Sequence, residues 1–200
     1  MKSQNVLSTR QLNINSLTGR NLISNLNMSL GYEQVVVIGR NGVGKSTLIK
    51  ALANGDSSQG IVCTNNRWIV HQSLIDNFFN HASNDELRNN ISLLFEFKPW
   101  QVERELSEIG LNFNMESIQN VTTCLSQGEL RKLNLVLAKL KNPELLFLDE
   151  PTEDLDQQGK QWLFKWLKGW NRGLIIVSHC QSLMRLFENF FIVAESGCRY

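Results

Sequence analysis

A glycine-rich octapeptide between a β-branched run and a helical run is the part of the sequence best suited to chemistry. It reads G-R-N-G-V-G-K-S over residues 39–46 and fits G-x-x-x-x-G-K-[S/T] at every fixed position. Glycines let such a backbone curl its N–H groups toward phosphate oxygens, and the helix that follows adds its N-terminal partial positive charge. Lys45 can reach the β- and γ-phosphates, and Ser46 can offer its hydroxyl to Mg²⁺. The predicted contacts of a nucleoside triphosphate are Gly39, Asn41, Gly42, Val43, Gly44, Lys45, Ser46 and Thr47.

Two adjacent acids form a second candidate site. Asp149 and Glu150 directly follow the apolar run 145–148. Because ligands of parallel sheets bind beyond the carboxyl ends of the strands, these acids should meet the glycine-rich loop at one edge. Asp149 is expected to hold magnesium through its water shell, and Glu150 to orient or deprotonate the attacking water.

The elements that must position these residues alternate between strand and helix patterns. The predicted strands are 35–38, 67–70, 145–148, 174–177 and 190–193, and their unbroken apolar runs indicate burial on both faces. The predicted helices are about 46–53, 84–95, 100–109, 126–141, 157–169 and 181–188. This order favours an α/β fold with a parallel sheet flanked by helices. Residues 73–123 contain no strong strand, so we predict one domain with a core of 1–72 and 124–200 and a helical subdomain inserted at 73–123.

Composition narrows the possible functions. The 200 residues include 20 Lys+Arg and 19 Asp+Glu, which gives a formal net charge of +1. This balance excludes a positive potential over the whole surface, so the sequence gives no direct sign of nucleic-acid binding. The four cysteines form no C-x-x-C pair, which argues against zinc and disulfides and fits a reducing cytosol. No apolar stretch is long enough to span a bilayer, and the N-terminus lacks the apolar core of a signal peptide. These features predict a cytoplasmic protein.

The segment after residue 125 predicts a well-capped helix. Ser126 and Glu129 form the S-x-x-E pattern of a capping box. Leucines recur at three- and four-residue spacing through this helix, and Asn142-Pro143 should end it.

Further segments complete a set of motifs in a fixed order. L-S-Q-G-E at 125–129 is similar to a signature usually written L-S-G-G-Q, and D-E-P-T-E-D-L-D at 149–156 is similar to a Walker B end followed by a D-loop. Gln72 follows the second predicted strand like a Q-loop glutamine, and His179 follows the fourth like a switch histidine. Residues 22–33 are similar to the first strands that precede the phosphate loop. With the glycine-rich loop, these motifs make the chain resemble the ATP-binding cassette (ABC) ATPases over nearly its whole length.

The resemblance implies a P-loop NTPase fold with a mostly parallel sheet, a small antiparallel β portion and an inserted helical subdomain. It implies an enzyme that binds ATP and Mg²⁺ and hydrolyses ATP. Gln72 would join Ser46 and Asp149 at the magnesium. Gln72 would also act with Glu150 and His179 in catalysis, where His179 contacts the γ-phosphate.

The resemblance also implies a second cassette. In this family the signature helix points at the ATP bound to the other cassette, so one chain does not complete its own site. Ser126 and the Gly128 backbone would contact that ATP, and Asp156 would link the two sites across the dimer. We therefore expect a homodimer, or a heterodimer with a similar cassette, that forms around ATP and opens on hydrolysis.

Three positions depart from the family pattern. Gln127 replaces a signature glycine, so it either points outward or weakens the contact with the partner's ATP. Many relatives have an aromatic residue that stacks on adenine in the region that corresponds to residues 16–20, which contain none here. Leu17 could cover the base weakly, so the choice between ATP and GTP stays open. Cys180 follows the switch histidine where relatives have Asp.

Two readings of the cellular role stay open. In the first, the chain is the ATPase subunit that powers a separate membrane permease, held at the inner face of the membrane. The insert would then dock a coupling helix, although its apolar residues are better explained as the insert's own core; they are Phe78, Phe79, Phe95, Phe97 and Trp100. In the second, the short spacing from Lys45 to Gln72 resembles the F subfamily, soluble ATPases that act on ribosomes. F-subfamily proteins carry two cassettes and a charged linker, whereas this chain has one cassette, so we favour the first reading.

Overall fold

The computed structural model describes residues 5–16, 19, 21–70, 92–112, 125–194 and 197–199. The strands are β1 (Leu7–Asn15), β2 (Asn21–Leu30), β3 (Gln34–Ile38), β4 (Ile61–Cys63), β5 (Arg67–Val70), β6 (Leu145–Asp149), β7 (Gly173–Val177), β8 (Asn189–Ala194) and β9 (Gly197–Arg199). The α-helices are α1 (Lys45–Asn54), α2 (Pro99–Ile109), α3 (Gln127–Lys141), α4 (Gln157–Lys168) and α5 (Gln181–Met184). None of these helices has both the length and the hydropathy that a bilayer crossing requires.

The strands form two sheets. The larger sheet has the order β5-β6-β7-β3-β8-β9, with parallel pairing of β6 with β7, β7 with β3, and β3 with β8, and antiparallel pairing of β8 with β9. The smaller sheet, β2-β1-β4, is antiparallel. This arrangement confirms the predicted α/β class with a mostly parallel sheet and a small antiparallel portion.

The chain divides into two compact units. The first consists of Met1–Ile69, Pro143–Glu150 and Trp170–Tyr200, and the second of Val70–Asn142 and Pro151–Gly169. The predicted insert at 73–123 is described only over 92–112, where it contains α2. Its boundaries therefore stay a prediction, and most of the helix predicted at 84–95 lies outside the described residues.

Two of the sequence expectations are wrong. Two of the predicted strands are not buried on both faces. Val70 is the only buried residue of β5, and in β8 Phe190 and Ile192 are 36% and 44% exposed while Phe191 and Val193 are buried. The helix expected over 181–188 ends at Met184, because the next backbone bonds, from Leu186 and Phe187, span three residues instead of four.

The core of the first unit fixes α1 against the sheets. Leu48, Ile49 and Leu52 of α1 are at most 1% exposed, and they belong to one cluster with Val37 of β3 and Phe147 of β6. The central strands β6 and β7 are buried at every position. Since buried apolar area stabilises by about 25 cal/mol per Å², this packing anchors the start of α1 at the end of β3.

Arg67 closes the other end of α1. Its guanidinium donates hydrogen bonds to the carbonyls of Ala53 and Asn54, the last two residues of the helix, and to Thr64 O at 2.8 Å. Carbonyls of the last helical turn have no partner within the helix, and a cation there also opposes the helix dipole.

We expect Arg67→Met to lower the free energy of unfolding by about 2–3 kcal/mol, because hydrogen bonds to charged groups contribute about 1.5–3 kcal/mol. Denaturant unfolding at pH 7 measures the change. Lys50→Met removes a cation from the same helix and is the matched control. Equal stability of the two variants would show that Arg67 does not cap α1.

The second unit is organised around Glu105 of α2. This carboxylate is 3% exposed and accepts hydrogen bonds from Lys139 of α3, from Trp162 Nε1 of α4 at 3.2 Å, and from Arg104 at 3.1 Å. Burial alone would raise the pKa of Glu105, but the hydrogen bonds and the charge of Lys139 bring the pKa below its usual value. Glu105 thus joins three helices as a carboxylate.

A depressed pKa in the folded state means that Glu105 stabilises the unit above its ordinary pKa of 4.5, and that this contribution is lost as pH falls through the folded value. We expect Glu105→Gln to cost about 2 kcal/mol at pH 7 and to approach wild-type stability under acid conditions. Glu108→Gln, on the same helix but exposed, is the control. A stability difference that stays constant from pH 7 to pH 3 would contradict this assignment.

Candidate functional site

The loop between β3 and α1 has the backbone that its glycines predict. Gly42 and Gly44 have φ of 78° and 103°, in the left-handed region that favours glycine. A Cβ on Gly39 would lie 2.4 Å from the Val193 carbonyl oxygen, so this position admits glycine only. The loop then enters α1 at Lys45, which leaves the N–H groups of the first helical turn for a ligand.

Lys45 and Ser46 lie at the start of α1. The Lys45 side chain is buried, and its ammonium donates to the carbonyls of Gly39 at 2.9 Å and Arg40 at 3.0 Å. The Ser46 hydroxyl donates to Asp149 Oδ1 at 3.1 Å, across the 103 residues that separate them in sequence. The loop and the first acid of β6 therefore meet at one edge of the sheet, as the sequence predicted.

The pairing of Ser46 with Asp149 suits magnesium. Hydroxyl and carboxylate oxygens are hard donors, and Mg²⁺ in nucleotide sites typically takes one or two protein ligands together with phosphate oxygens and water. Asp149 is 4% exposed and ends β6, so its carboxylate is held in place. Within the described residues there is no group of three or more His, Cys, Asp or Glu that could hold a metal without such a substrate.

Glu150 and His179 form a second pair beside β7. Glu150 Oε2 accepts the His179 backbone N–H at 3.1 Å, and Oε1 lies 3.5 Å from His179 Nε2. The Glu150 N–H donates to Val177 O at 2.9 Å. Glu150 has φ of 46°, an uncommon value for a residue other than glycine. Such backbone strain is concentrated at functional sites, where the surrounding structure holds it.

The signature and D-loop residues belong to the second unit. Ser126 caps α3 through Glu129, with both halves of the predicted capping box present, and the helix ends at Asn142 in a left-handed conformation. Gln127 is exposed. Asp156 caps α4 by accepting the Gly159 N–H at 2.8 Å, and its other oxygen accepts from Lys132. The Lys132 hydrogen bond is the main reason that the pKa of Asp156 lies below its usual value.

The structure thus brings together most of the predicted residues of the first unit. The phosphate loop, Asp149, Glu150 and His179 converge around the carboxyl ends of β3, β6 and β7. Gln72 and Leu17 lie outside the described residues. The sequence did not reveal the left-handed backbone of Glu150, and an acid after a strand end gives no local signal for it.

A strand, a glycine turn with left-handed residues and a helix that begins with Lys-Ser define the P-loop nucleotide-binding proteins, together with an acid at the end of another parallel strand of the same sheet, here β6, which β7 separates from β3. A family model described as "ABC transporter" matches residues 23–153. The chain therefore belongs to the ABC transporter family of ATP-binding cassettes.

Similar proteins include both transport and F-family members. The chain is 32% identical to "ATP-binding protein Uup" of Buchnera aphidicola over 76% of its own length and 26% of that protein. It is 28% identical to "ABC transporter F family member 4" of Dictyostelium discoideum, in a match that covers 84% of this chain and 18% of that protein. It is 28% identical to the "Glutathione/L-cysteine transport system ATP-binding/permease protein CydC" of Haemophilus influenzae, in a match that covers 94% of this chain and 37% of that protein. The chain thus spans well under half the length of these curated relatives.

A solved structure supports the fold. A dimeric ATP-binding cassette in a post-hydrolysis state, bound to ADP and Pi, superimposes with a TM-score of 0.70 at 16% identity and covers 97% of both chains. At this identity the likeness concerns the fold alone.

Proposed function

We propose that the chain hydrolyses ATP with Mg²⁺ in a site that two cassettes complete together, and that it powers a separate membrane permease. The observation that supports the chemistry most directly is the convergence of two pairs, Ser46 with Asp149 and Glu150 with His179, at the edge of the sheet beside the phosphate loop.

Each side chain of the first unit has a role that its position suits. Lys45 and the N–H groups at the start of α1 would bind the phosphates, and Ser46 and Asp149 would hold the magnesium. Gln72, which lies outside the described residues, is proposed from the sequence alone as a further ligand. Bound Mg²⁺ supplies positive charge that offsets the charge on the phosphate oxygens. Glu150 accepts the proton of the attacking water, and His179 contacts the γ-phosphate. The hydrogen bond from the His179 N–H keeps the Glu150 carboxylate oriented toward this task.

The second unit supplies residues to the other cassette. Ser126 and the Gly128 backbone would contact the ATP bound by a second copy, and Asp156 would link the two sites. The exposure of Ser126 at the N-terminus of α3 supports this role, because a helix N-terminus attracts a phosphate. A second copy of this chain is the simplest partner, because the chain contains both the phosphate loop and the signature segment.

Exposed aromatic side chains of the insert support a permease partner. Phe95 and Trp100 are 42% and 56% exposed, so the reading that they form the insert's own core is wrong for these two residues. Phe97 is half-buried beneath the ammonium of Lys141, and Phe78 and Phe79 lie outside the described residues. Exposed aromatic residues are typical anchors of protein interfaces. They would receive a cytoplasmic helix of the permease.

The F-type role is the second candidate. The similarity to "ABC transporter F family member 4" favours it. As the resemblance to the F subfamily implies, this role would place the chain on ribosomes or another large assembly. That role requires a local basic surface, which the balanced charge does not indicate.

A trap experiment separates the two roles. Tagged Glu150→Gln is expressed in the native cell, membranes and ribosomes are fractionated, and the co-purifying proteins are identified. We expect enrichment in membranes with a polytopic protein, and loss of that enrichment in the double variant Phe95→Ser/Trp100→Ser. Sedimentation with ribosomes and no permease would refute the transport role and favour the F-type role.

A further inference from the structure

The signature helix and the D-loop touch each other within the second unit. A Cβ on Gly128 would lie 2.7 Å from the backbone carbonyl oxygen of Asp154, closer than real contacts allow. Gly128 is therefore required by the D-loop of its own chain, independently of any nucleotide. Asp154 has φ of 57°, a left-handed conformation that Asp tolerates better than most residues.

A buried cation joins the same two segments. Arg131, one turn after Gly128 on α3, has a side chain that is 0% exposed, and its Nη2 lies 3.7 Å from Asp154 Oδ2. The Asp154 side chain is 39% exposed. Removing one partner of a charge pair that involves a buried group is costly, because the other charge stays in a medium of low dielectric. The pair therefore sets the position of the loop relative to the helix.

A second ion pair lies alongside. Lys132 Nζ donates to Asp156 Oδ2 at 2.8 Å, while Asp156 Oδ1 caps α4. Two adjacent residues of α3 thus pair with the D-loop: Arg131 with Asp154, and Lys132 with Asp156. We call the contacts of Gly128 and Arg131 with Asp154, and of Lys132 with Asp156, the signature latch.

We propose that Arg131 and Asp154 are positioning residues, and that the signature latch presents the signature and the D-loop to a second cassette as one rigid element. This inference rests on the proposed function, in which both segments contact the nucleotide or site of the partner. A shift of either segment would then move the other, so the strength of ATP-driven association depends on a pair that touches no nucleotide.

The monomer tests the contact itself. Alanine is favoured over glycine in helices, so without the latch Gly128→Ala would raise the Tm of the nucleotide-free monomer. We expect a lower Tm, and little change for the control Gln127→Ala, which changes the exposed residue just before Gly128. We also expect Arg131→Met and Asp154→Asn to be non-additive, since the double variant removes both charges. A raised Tm for Gly128→Ala, or additive effects of the pair, would overturn the latch.

Association tests the positioning role. In the Glu150→Gln background, the ATP concentration for half-maximal dimerisation is measured by sedimentation, and ATP affinity is measured on dilute monomer. We expect Asp154→Asn to raise the ATP concentration for half-maximal dimerisation by roughly tenfold or more, which is within the range of typical coupling energies between sites. The ATP affinity of the monomer should not change. If Glu150→Gln dimerises and Asp154→Asn shifts neither value, the positioning role is wrong and the proposed function stands. If Glu150→Gln itself stays monomeric, the homodimer of the proposed function is wrong, and the positioning role is overturned with it.

Discussion

Replacing Glu150 by Gln should lower the rate of ATP hydrolysis by about 10²–10⁴-fold, the usual contribution of a positioned general base. ATP affinity should not change, because the amide has the same shape and its oxygen can still accept the His179 N–H that the carboxylate accepts at 3.1 Å. Single-turnover release of phosphate measures the rate, and equilibrium titration with a fluorescent ATP analogue measures the affinity.

Glu153→Gln is the matched control for this prediction, because it removes one negative charge three residues away without touching the proposed base. Its turnover should stay within a few-fold of wild type. If Glu150→Gln also retains wild-type turnover, another group accepts the proton and the role given to Glu150 is wrong.

Replacing Lys45 by Ala should instead weaken ATP binding. The ammonium lies at the phosphate loop between two carbonyls of that loop, and a charge-assisted hydrogen bond to phosphate contributes about 1.5–3 kcal/mol, which corresponds to roughly ten- to a hundred-fold in affinity. Titration with the same ATP analogue measures this loss.

Two controls separate binding from folding in this variant. Lys50→Ala removes a cation from the same helix, outside the loop, and should bind ATP normally. A thermal scan of Lys45→Ala shows whether the loop survives the loss of its two internal hydrogen bonds. Unchanged affinity in a folded Lys45→Ala variant would remove this residue from its assigned role.

The buried strands were predictable because sequence and burial agree there. The apolar runs at 145–148 and 174–177 lie within β6 and β7, each of which is buried at every position. Strand β1 was not predicted, because its alternation of apolar and polar residues breaks at Arg10 and Gln11, where a bulge with φ of 49° at Gln11 shifts the register. Strand β8 was predicted with the wrong environment, because an apolar run alone does not say which face another element covers.

The site of the first unit was predictable for a different reason. Phosphate chemistry demands particular residue types at a fixed spacing, and parallel strands bring their carboxyl ends to one edge. The pairing of Ser46 with Asp149 follows from those two facts. Arg131 could not be predicted in this way, since a cation on a helix is usually solvated, and only the position of Asp154 shows that this one is buried in a charge pair.

The central claim is that two copies of this chain close around ATP, and the mass of Glu150→Gln in solution tests it most directly. Sedimentation equilibrium is run with saturating Mg-ATP, with Mg-ADP and without nucleotide. We predict a particle of twice 22.9 kDa with Mg-ATP and a particle of 22.9 kDa in the other two conditions. A variant that binds ATP yet stays at 22.9 kDa at saturating Mg-ATP would contradict the homodimer and require a different cassette as the partner.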